Sequence, residues 1–275
     1  MESTTGFGGG SATSASGARG PTRLLVSAAT DGATNMAIDE ALVRRAQRTG
    51  ETLLRVYGWA TPTVSLGRNQ PARGCYDLEL ARARGVDFVR RPTGGRAILH
   101  HREITYSVAA PVSVLGSLRE SYRAINRLLL EALRSLGVEA REAESSSRAP
   151  APSLAPCFDS PVAGELVVER RKLVGSAQVR DGNILLQHGS ILVDDDQYLL
   201  AELVDSVDLA PPPATLRALT GRAVTIEEFA GALARAVGGV EGAEPHTLEL
   251  DEPLLEDVRS LVRTRYAVAD WTWRR

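Results

Sequence analysis

Residues 165–193 read ELVVERRKLVGSAQVRDGNILLQHGSILV. Three apolar runs, each short enough to be a strand, are separated by basic and glycine-containing turns, which predicts three strands in a meander or a hairpin pair. The second run begins beside Lys172. Strand-like and helical runs alternate along the rest of the chain, and mixed strand pairing with helices grouped outside it indicates an α+β fold.

The segments around these three strands can be assigned from their apolar spacing. We expect strands in TRLLVSA, TLLRVYGW, TPTVSLG, VDFVRR, AILH and EITYSVAAP. We expect helices from about Asn35 to Arg48, over DLELARARG, from about Leu118 to Leu136, over TIEEFAGALARAVGG and over DEPLLEDVRSLVRTRYA. Gly137 can close the third helix in a left-handed conformation, and a Thr-to-Glu capping box opens the fourth.

Two stretches have compositions that do not build a core. Residues 1–20 are rich in Gly, Ser, Ala and Thr, so we expect a disordered tail. The segment REAESSSRAPAPSLAP, which leads to Cys157, is rich in Ser, Pro and Ala and is typical of a long surface loop. Residues 21–275 are predicted to form one domain.

The overall charge is close to neutral. The sequence has 32 basic and 34 acidic residues and a formal net charge of -2, so no strong field attracts nucleic acid or an anionic membrane. It contains neither an apolar run of about 18 residues nor a signal-peptide pattern at the N-terminus. We therefore expect a cytoplasmic protein with no nucleic-acid or membrane partner, and a monomer by default.

Lysine is almost absent from the sequence. Lys172 is the only one, and the other basic residues are arginines. A bias toward arginine replaces lysine wherever a plain positive charge suffices, whereas a compact amine that can lose a proton has no arginine substitute. A single survivor can also be left by chance, so the neighbours of Lys172 must decide between the two explanations.

The two cysteines have different surroundings. Cys75, in RGCYDL, opens a predicted helix with no reactive neighbour in sequence, which indicates a buried, inert thiol. Cys157, in PCFDSP, follows the Ser/Pro-rich segment, where a part-exposed thiolate can react, although a small apolar residue at a loop end fits the same position. Two free thiols are expected in a reducing compartment. A nucleophilic thiol needs a nearby cation or base, and Lys172 is the candidate.

Histidines offer a rival partner for the thiol. His100, His101 and His188 lie on the strand-rich part of the chain, so a Cys–His pair stays open, as does a purely structural role for each histidine. Adjacent residues of a strand point to opposite faces, which separates His100 from His101. The Cys and His spacings match no ligand pattern, and we expect no metal site.

A glycine turn joins a strand to a hairpin in RRPTGGRAILHH. Gly94 and Gly95 let the backbone pass close to a ligand or take a positive φ, but a plain hairpin turn flanked by solvated arginines fits the same residues. The spacing matches neither G-x-x-x-x-G-K-[ST] nor G-x-G-x-x-G. Nucleotide-phosphate chemistry is therefore disfavoured, and no cofactor is expected.

From about Arg23 onward the sequence resembles the lipoate-protein ligase and octanoyltransferase superfamily and, within it, the octanoyltransferases that load the glycine cleavage H protein. The resemblance is carried, in order, by NMAIDEAL, SLGRNQ, RRPTGGRAILHHREITYS, PCFDSP, ELVVERRKLVGSAQ, LLQHGSIL and RYAVADWTW. The lysine of KLVGSAQ is shared with the ATP-using ligases. The cysteine of PCFDSP and the GGR form of the glycine turn resemble the transferase branch.

This resemblance implies a fold, a mechanism and a set of partners. The fold is the biotin/lipoate-protein ligase type, a large mixed sheet flanked by helices around an acyl tunnel. Cys157 would attack the thioester of octanoyl-acyl carrier protein, Lys172 would lower the pKa of the thiol and bind the oxyanion, and the acyl group would pass to a lysine of a lipoyl-domain protein such as the glycine cleavage H protein. The implied substrate-binding residues are Arg91, Gly94, Gly95, Arg96, His100, Gly175, Ser176, Ala177 and His188.

Three alternatives stay open. An ATP-dependent lipoate-protein ligase would activate free lipoate as an adenylate without a catalytic thiol, although the chain leaves no room after RYAVADWTW for the extra C-terminal domain of many such ligases. An octanoyl amidotransferase would move the acyl group between lipoyl-domain proteins by the same chemistry. A non-catalytic carrier-binding protein would only shield the acyl group, and the presence of both Cys157 and Lys172 disfavours it.

Overall fold

A computed structural model describes residues 20–143, 164–204 and 212–275. Residues 1–19 of the predicted tail, most of the Ser/Pro-rich segment and Cys157 lie outside the described residues.

The strands form two sheets. In chain order they are β1 (Thr22–Val26), β2 (Thr52–Tyr57), β3 (Thr63–Leu66), β4 (Asp87–Arg90), β5 (Ile98–His100), β6 (Glu103–Pro111), β7 (Arg141–Glu142), β8 (Leu166–Val168), β9 (Arg171–Asp181), β10 (Ile184–Leu192) and β11 (His246–Thr247). The large sheet has the order β11-β1-β2-β6-β10-β9-β8-β7, and the small sheet has the order β4-β3-β5. Strands β11, β1 and β2 run parallel to one another, and the other pairs of the large sheet are antiparallel, so this sheet is mixed.

The helices lie outside the sheets. They are α1 (Gly32–Thr49), α2 (Leu78–Ala83), α3 (Val112–Leu115), α4 (Leu118–Ser135), α5 (Tyr198–Leu203), α6 (Leu216–Thr220), α7 (Ile226–Glu241), α8 (Glu252–Leu261) and α9 (Ala269–Thr272). A π-helical turn, Val262–Tyr266, extends α8. None of the helices in the described ranges combines the length and apolar character that spanning a membrane requires.

Side-chain caps fix the ends of the long helices. Asp31 accepts a hydrogen bond from the Thr34 amide at the start of α1, and Gly50 ends that helix in the left-handed region at φ 72°. Helices α4 and α7 both begin with a reciprocal capping box, and each cap contributes about 0.5–2 kcal/mol. The box predicted for α7 is confirmed, and Gly137 follows α4 with a φ of 83° as expected.

Helices cover both faces of the large sheet, and each face has its own apolar core. Helices α1 and α8 pack on one face, where Met36 and Leu186 are buried, and α4 and α7 pack on the other, over Leu129 and Phe229. Strands β2, β6 and β10 are therefore buried along their whole length. The prediction of an α+β fold, with a large mixed sheet flanked by helices, is confirmed.

The setting of Cys75 differs from the prediction. Helix α2 begins at Leu78 because the Asp77 side chain accepts a hydrogen bond from the Leu80 amide, so Cys75 lies in the loop before the helix. Its side chain is half-buried rather than buried, and its sulfur donates to the Arg73 carbonyl oxygen at 3.4 Å.

Candidate active site

A cavity of about 280 Å³ lies beside the glycine turn. Eight of the nine predicted substrate-binding residues line it: Arg91, Gly95, Arg96, His100, Gly175, Ser176, Ala177 and His188. Gly94 belongs to the same turn but is not among the lining residues. The fold thus brings the turn together with β9 and β10.

The pairing of β9 with β10 builds one wall of the cavity. Gly175 lies opposite Ser190, Ser176 opposite Gly189, and Ala177 opposite His188. Small residues are required here, because a Cβ on Gly189 would lie 2.6 Å from the Gly175 carbonyl oxygen and 2.6 Å from the Tyr106 ring. The Tyr106 hydroxyl also hydrogen-bonds to Ser176 Oγ at 2.7 Å.

Arg91 shapes the glycine turn from inside. Its guanidinium group donates to the carbonyl oxygens of Ser65, Gly94 and Arg96, each at 2.7 Å. Gly95 has a φ of 96°, in the left-handed region that favours glycine, and a Cβ there would lie 2.8 Å from Arg91 Nη2. Because Arg91 is buried, we interpret it as a support for the turn as well as part of the cavity wall.

Replacing Gly67 with alanine is expected to displace the glycine turn. A Cβ at this position would lie 1.9 Å from the carbonyl oxygen of Gly95, which is backbone and cannot rotate away. We expect the free energy of unfolding to fall by about 1–3 kcal/mol, measured by urea denaturation. The control is Gly239→Ala in α7, where a Cβ meets no atom within 4 Å and alanine favours the helix. A Gly67→Ala protein as stable as the wild type would contradict this reading of the turn.

Two hydrogen-bonded chains, each of a carboxylate, an imidazole and a hydroxyl, reach the cavity. In the first, His188 Nδ1 is 3.0 Å from Asp39 Oδ2 and His188 Nε2 is 2.6 Å from Thr93 Oγ1. A carboxylate accepts the Nδ1 proton, which leaves Nε2 to accept from the hydroxyl. His188 therefore links helix α1 to the threonine of the glycine turn.

The second chain holds the other side of the turn. His100 Nδ1 is 2.7 Å from Glu103 Oε1, and His100 Nε2 is 2.7 Å from Ser65 Oγ. Arg91 Nη1 donates to the same Ser65 hydroxyl at 3.1 Å, so this hydroxyl bridges Arg91 and His100. Trp59 stacks on the His100 ring at 4.1 Å between centroids. These contacts fix the imidazole ring in one orientation.

Asp39 is the buried anion of the first chain. It accepts hydrogen bonds from Arg55 at 2.9 Å, Tyr57 at 3.0 Å and Ser107 at 2.9 Å. Burial by itself raises the pKa of Asp39, but the hydrogen bond from His188 and the charge of Arg55 outweigh it and hold the pKa below the ordinary value. Burial, together with the charges of Arg91 and His100, lowers the pKa of His188 below its ordinary value although Asp39 acts to raise it. Near neutral pH the pair is thus a carboxylate and a neutral imidazole.

We expect the free energy of unfolding to fall as the pH falls below about 6.5. The pKa of His188 lies below its ordinary value of 6.5 in the folded protein, so in that range the unfolded chain binds more protons. Asp39 adds a further loss below its ordinary pKa of 3.8, for the same reason. Urea denaturation at a series of pH values from about 8 to about 4 measures how the free energy of unfolding changes with pH. His188→Gln should flatten this dependence between pH 6.5 and pH 5, and an unchanged slope would contradict the assignment.

Lys172 is buried on β9 in an ion pair. Its Nζ lies 2.6 Å from Oε1 of Glu165, and the lysine is 2 % exposed. Glu165 lines the cavity together with Tyr122, whereas Lys172 is not a lining residue and contacts the wall through this ion pair. The meeting of Cys157 with Lys172 stays a prediction, because Cys157 lies outside the described residues.

Reading the sequence missed the polar residues that support the histidines and the lysine. The predicted site does not include Asp39, Thr93, Glu103 or Glu165. A signal existed for Asp39, since it lies at helical spacing with the apolar residues of NMAIDEAL, a position where an acid must be buried. His101, by contrast, turns to Asp196 at 2.8 Å and does not line the cavity. In the part of the chain that the structure describes, His, Cys, Asp and Glu form no group suited to a metal ion.

Comparisons with known proteins give relatives along most of the chain. The model of the lipoyl protein ligase A/B catalytic domain matches residues 31–238. Octanoyltransferase LipM of Kyrpidia tusciae is 43% identical over 272 residues, which cover 92% of this chain and 98% of the relative. Octanoyltransferase LipM of Geobacillus kaustophilus is 38% identical over 264 residues, which cover 88% and 94%.

Solved structures share the fold at lower identity. A putative lipoate protein ligase from T. acidophilum superimposes with a TM-score of 0.76 and 23% identity, over 93% of this chain and 100% of that one. A lipoate-protein ligase A bound with ATP gives a TM-score of 0.76 and 23% identity, over 92% and 98%. The match over residues 31–238 and the sequence relatives together show that the chain belongs to the lipoyl protein ligase A/B catalytic domain family.

Proposed function

We propose that this chain is an octanoyltransferase of lipoate assembly. It takes octanoyl from acyl carrier protein and attaches it to a lysine of a lipoyl-domain protein, with the glycine cleavage H protein as the expected acceptor. The reaction is proposed to occur in the cytosol, in a single domain spanning residues 21–275. The octanoyltransferases at 43% and 38% identity, each matched over most of its length, support the acyl group and the reaction class.

The observation that carries the proposal is the cavity whose wall includes Glu165, the ion-pair partner of the buried Lys172. Its lining includes apolar surface from Met36, Trp59 and Ile98, which suits a hydrocarbon chain. A charged pair beside an apolar slot suits a reaction that develops negative charge on an acyl carbonyl group.

The proposed reaction has two balanced halves. In the first, the Cys157 thiolate attacks the carbonyl carbon of the donor thioester, and the tetrahedral intermediate collapses as the carrier leaves as a thiolate and takes up a proton. In the second, the uncharged acceptor amine attacks the acyl-enzyme, gives its surplus proton to water and forms the amide, while Cys157 leaves as a thiolate; this proton balances the one that the carrier thiolate takes up from water in the first half. The thioester is already activated, so the transfer consumes no ATP.

Lys172 is proposed to serve both halves. An ammonium group near Cys157 would stabilise the thiolate and then the oxyanion of each tetrahedral intermediate. Glu165, at 2.6 Å, would hold that ammonium group in place. These roles rest on the family motif and on the ion pair.

The chain connectivity supports the meeting of the two residues. The amide of Ala143 donates to the Glu165 carbonyl oxygen at 2.7 Å, so both ends of the undescribed stretch 144–163 lie beside the residue that pairs with Lys172. Gly164 lies seven positions after Cys157 in the sequence, a stretch that can span at most about 25 Å. This length is enough for Cys157 to reach Lys172.

A transfer assay with three donors tests the proposal. The acceptor is unmodified H protein, and the donors are octanoyl-acyl carrier protein, free octanoate with ATP, and an octanoylated lipoyl-domain protein. We expect transfer from acyl carrier protein at a rate that ATP does not change. Transfer only from octanoate with ATP would show a ligase, and transfer only from the lipoyl-domain donor would show an amidotransferase. Binding of the acylated carrier without any transfer would show a carrier-binding protein.

A further inference from the structure

We infer that Met36 closes the inner end of the cavity and sets the longest acyl chain that the protein accepts. The inference rests on the proposed function for the identity of the ligand as an acyl chain. It assigns a chain-length limit to one side chain of helix α1, outside the residues proposed to carry the transfer.

The cavity is lined by residues from helices on both sides of the large sheet. Its lining includes Tyr122 of α4 and Glu165 on one side and Met36 and Tyr57 on the α1 side. Gly95, at the glycine turn, is exposed, whereas Met36 and Tyr57 are 1% and 0% exposed. The end near α1 is therefore the closed end. An acyl chain with its carbonyl carbon near the Lys172–Glu165 pair would direct its terminal methyl group toward Met36.

The large aromatic residues at the closed end are held by polar contacts. The Tyr57 hydroxyl donates to Asp39 at 3.0 Å, and the Arg55 guanidinium lies 3.6 Å from the centre of the Tyr57 ring. Trp59 Nε1 donates to Thr105 at 2.8 Å, while the ring stacks on His100. Replacing Tyr57 or Trp59 would also break these buried contacts. Neither residue could therefore be changed to alter the accepted chain length alone.

Met36 differs from these neighbours in chemistry. Its side chain is unbranched, has three rotatable bonds and carries only a thioether, which adapts readily to the shape of its surroundings. It packs in the apolar core between α1 and the sheet while it lines the cavity. Shortening it to alanine removes three heavy atoms, a length equal to about two or three methylene groups of a ligand. The closed end would deepen, and the Asp39 network would stay intact.

Binding of acyl-pantetheine amides with six to fourteen carbons, measured by calorimetry on the full chain, tests the inference without any catalytic step. In the wild-type protein we expect the affinity to rise about fourfold with each methylene group and to stop rising at the length limit, which the proposed function places at eight carbons. Met36→Ala should move the limit to about ten or eleven carbons, and the larger Met36→Phe should move it below eight.

Matched variants separate chain length from general stability. Val43→Ala is the control, because Val43 is buried on the same helix but does not line the cavity, so its limit should equal that of the wild type. Met36→Val supplies a milder shortening should the alanine variant fold poorly. An unchanged limit in the Val and Phe variants would overturn the inference, even with transfer intact. A limit that shifts as predicted from a wild-type value other than eight would support the role of Met36 and count against octanoyl as the substrate.

Discussion

The Cys157→Ser variant is expected to transfer octanoyl at least about 10³-fold more slowly than the wild-type protein. A serine hydroxyl is almost wholly protonated at neutral pH, and a neighbouring ammonium group stabilises a thiolate far more effectively than it generates an alkoxide. The measurement is kcat/KM with octanoyl-acyl carrier protein and H protein. Urea denaturation of the same variant shows whether it is folded.

The matched control for this change is Cys75→Ser, the same exchange at the other cysteine. Cys75 lies in the loop before α2 and is half-buried, away from the cavity lining, with its thiol donating to the Arg73 carbonyl oxygen. Serine can make the same hydrogen bond, so we expect kcat/KM within about twofold of the wild type. A Cys157→Ser protein with near wild-type kcat/KM would contradict the covalent route.

The Lys172→Arg variant is expected to lose about 10²- to 10³-fold in kcat/KM although it keeps the positive charge. The lysine is 2 % exposed and its Nζ sits 2.6 Å from Glu165, so the larger guanidinium group does not fit the same place. Arginine also presents a planar fork instead of the compact charge of an ammonium group, so it would not stabilise the oxyanion from the same position. The same change should lower the free energy of unfolding by about 1–3 kcal/mol because it overfills a packed site.

The adjacent residue offers the control for Lys172. Arg171→Lys makes a related exchange at an exposed side chain that pairs with Glu169 at 3.3 Å, and such surface pairs contribute about 0–1 kcal/mol. Both stability and kcat/KM should stay at wild-type values. Wild-type kcat/KM in Lys172→Arg would show that a plain cation suffices, and the single lysine would then be a survivor by chance.

Much of the fold could be predicted from the sequence because local patterns determine it. The apolar runs of residues 165–193 mark β8, β9 and β10, which the structure contains as three successive antiparallel strands. The Thr225–Glu228 capping box marks the start of α7, and Gly137 follows the end of α4. The prediction that Cys75 opens a helix was wrong. Asp77 caps α2, so the helix begins after Cys75.

The candidate site could be predicted only in part, because it depends on contacts between distant residues. His188 meets Thr93 across 95 positions and Asp39 across 149, and no local pattern encodes either contact. The lining residues were predicted from a family resemblance. The motifs indicate that these residues share a site, but they do not give the contacts that bring them together. Glu165 was missed for a different reason: a lone acid before a strand looks like any solvated residue until the burial of Lys172 is known.

The most direct test of the central claim is to mix the protein with octanoyl-acyl carrier protein, withhold the acceptor and examine the protein by intact and peptide mass spectrometry. We predict one octanoyl adduct, which is located on Cys157 and is removed by hydroxylamine. When H protein is then added, the adduct should disappear and octanoylated H protein should form. An unmodified Cys157 in a sample that still octanoylates H protein when the acceptor is supplied would contradict the claim.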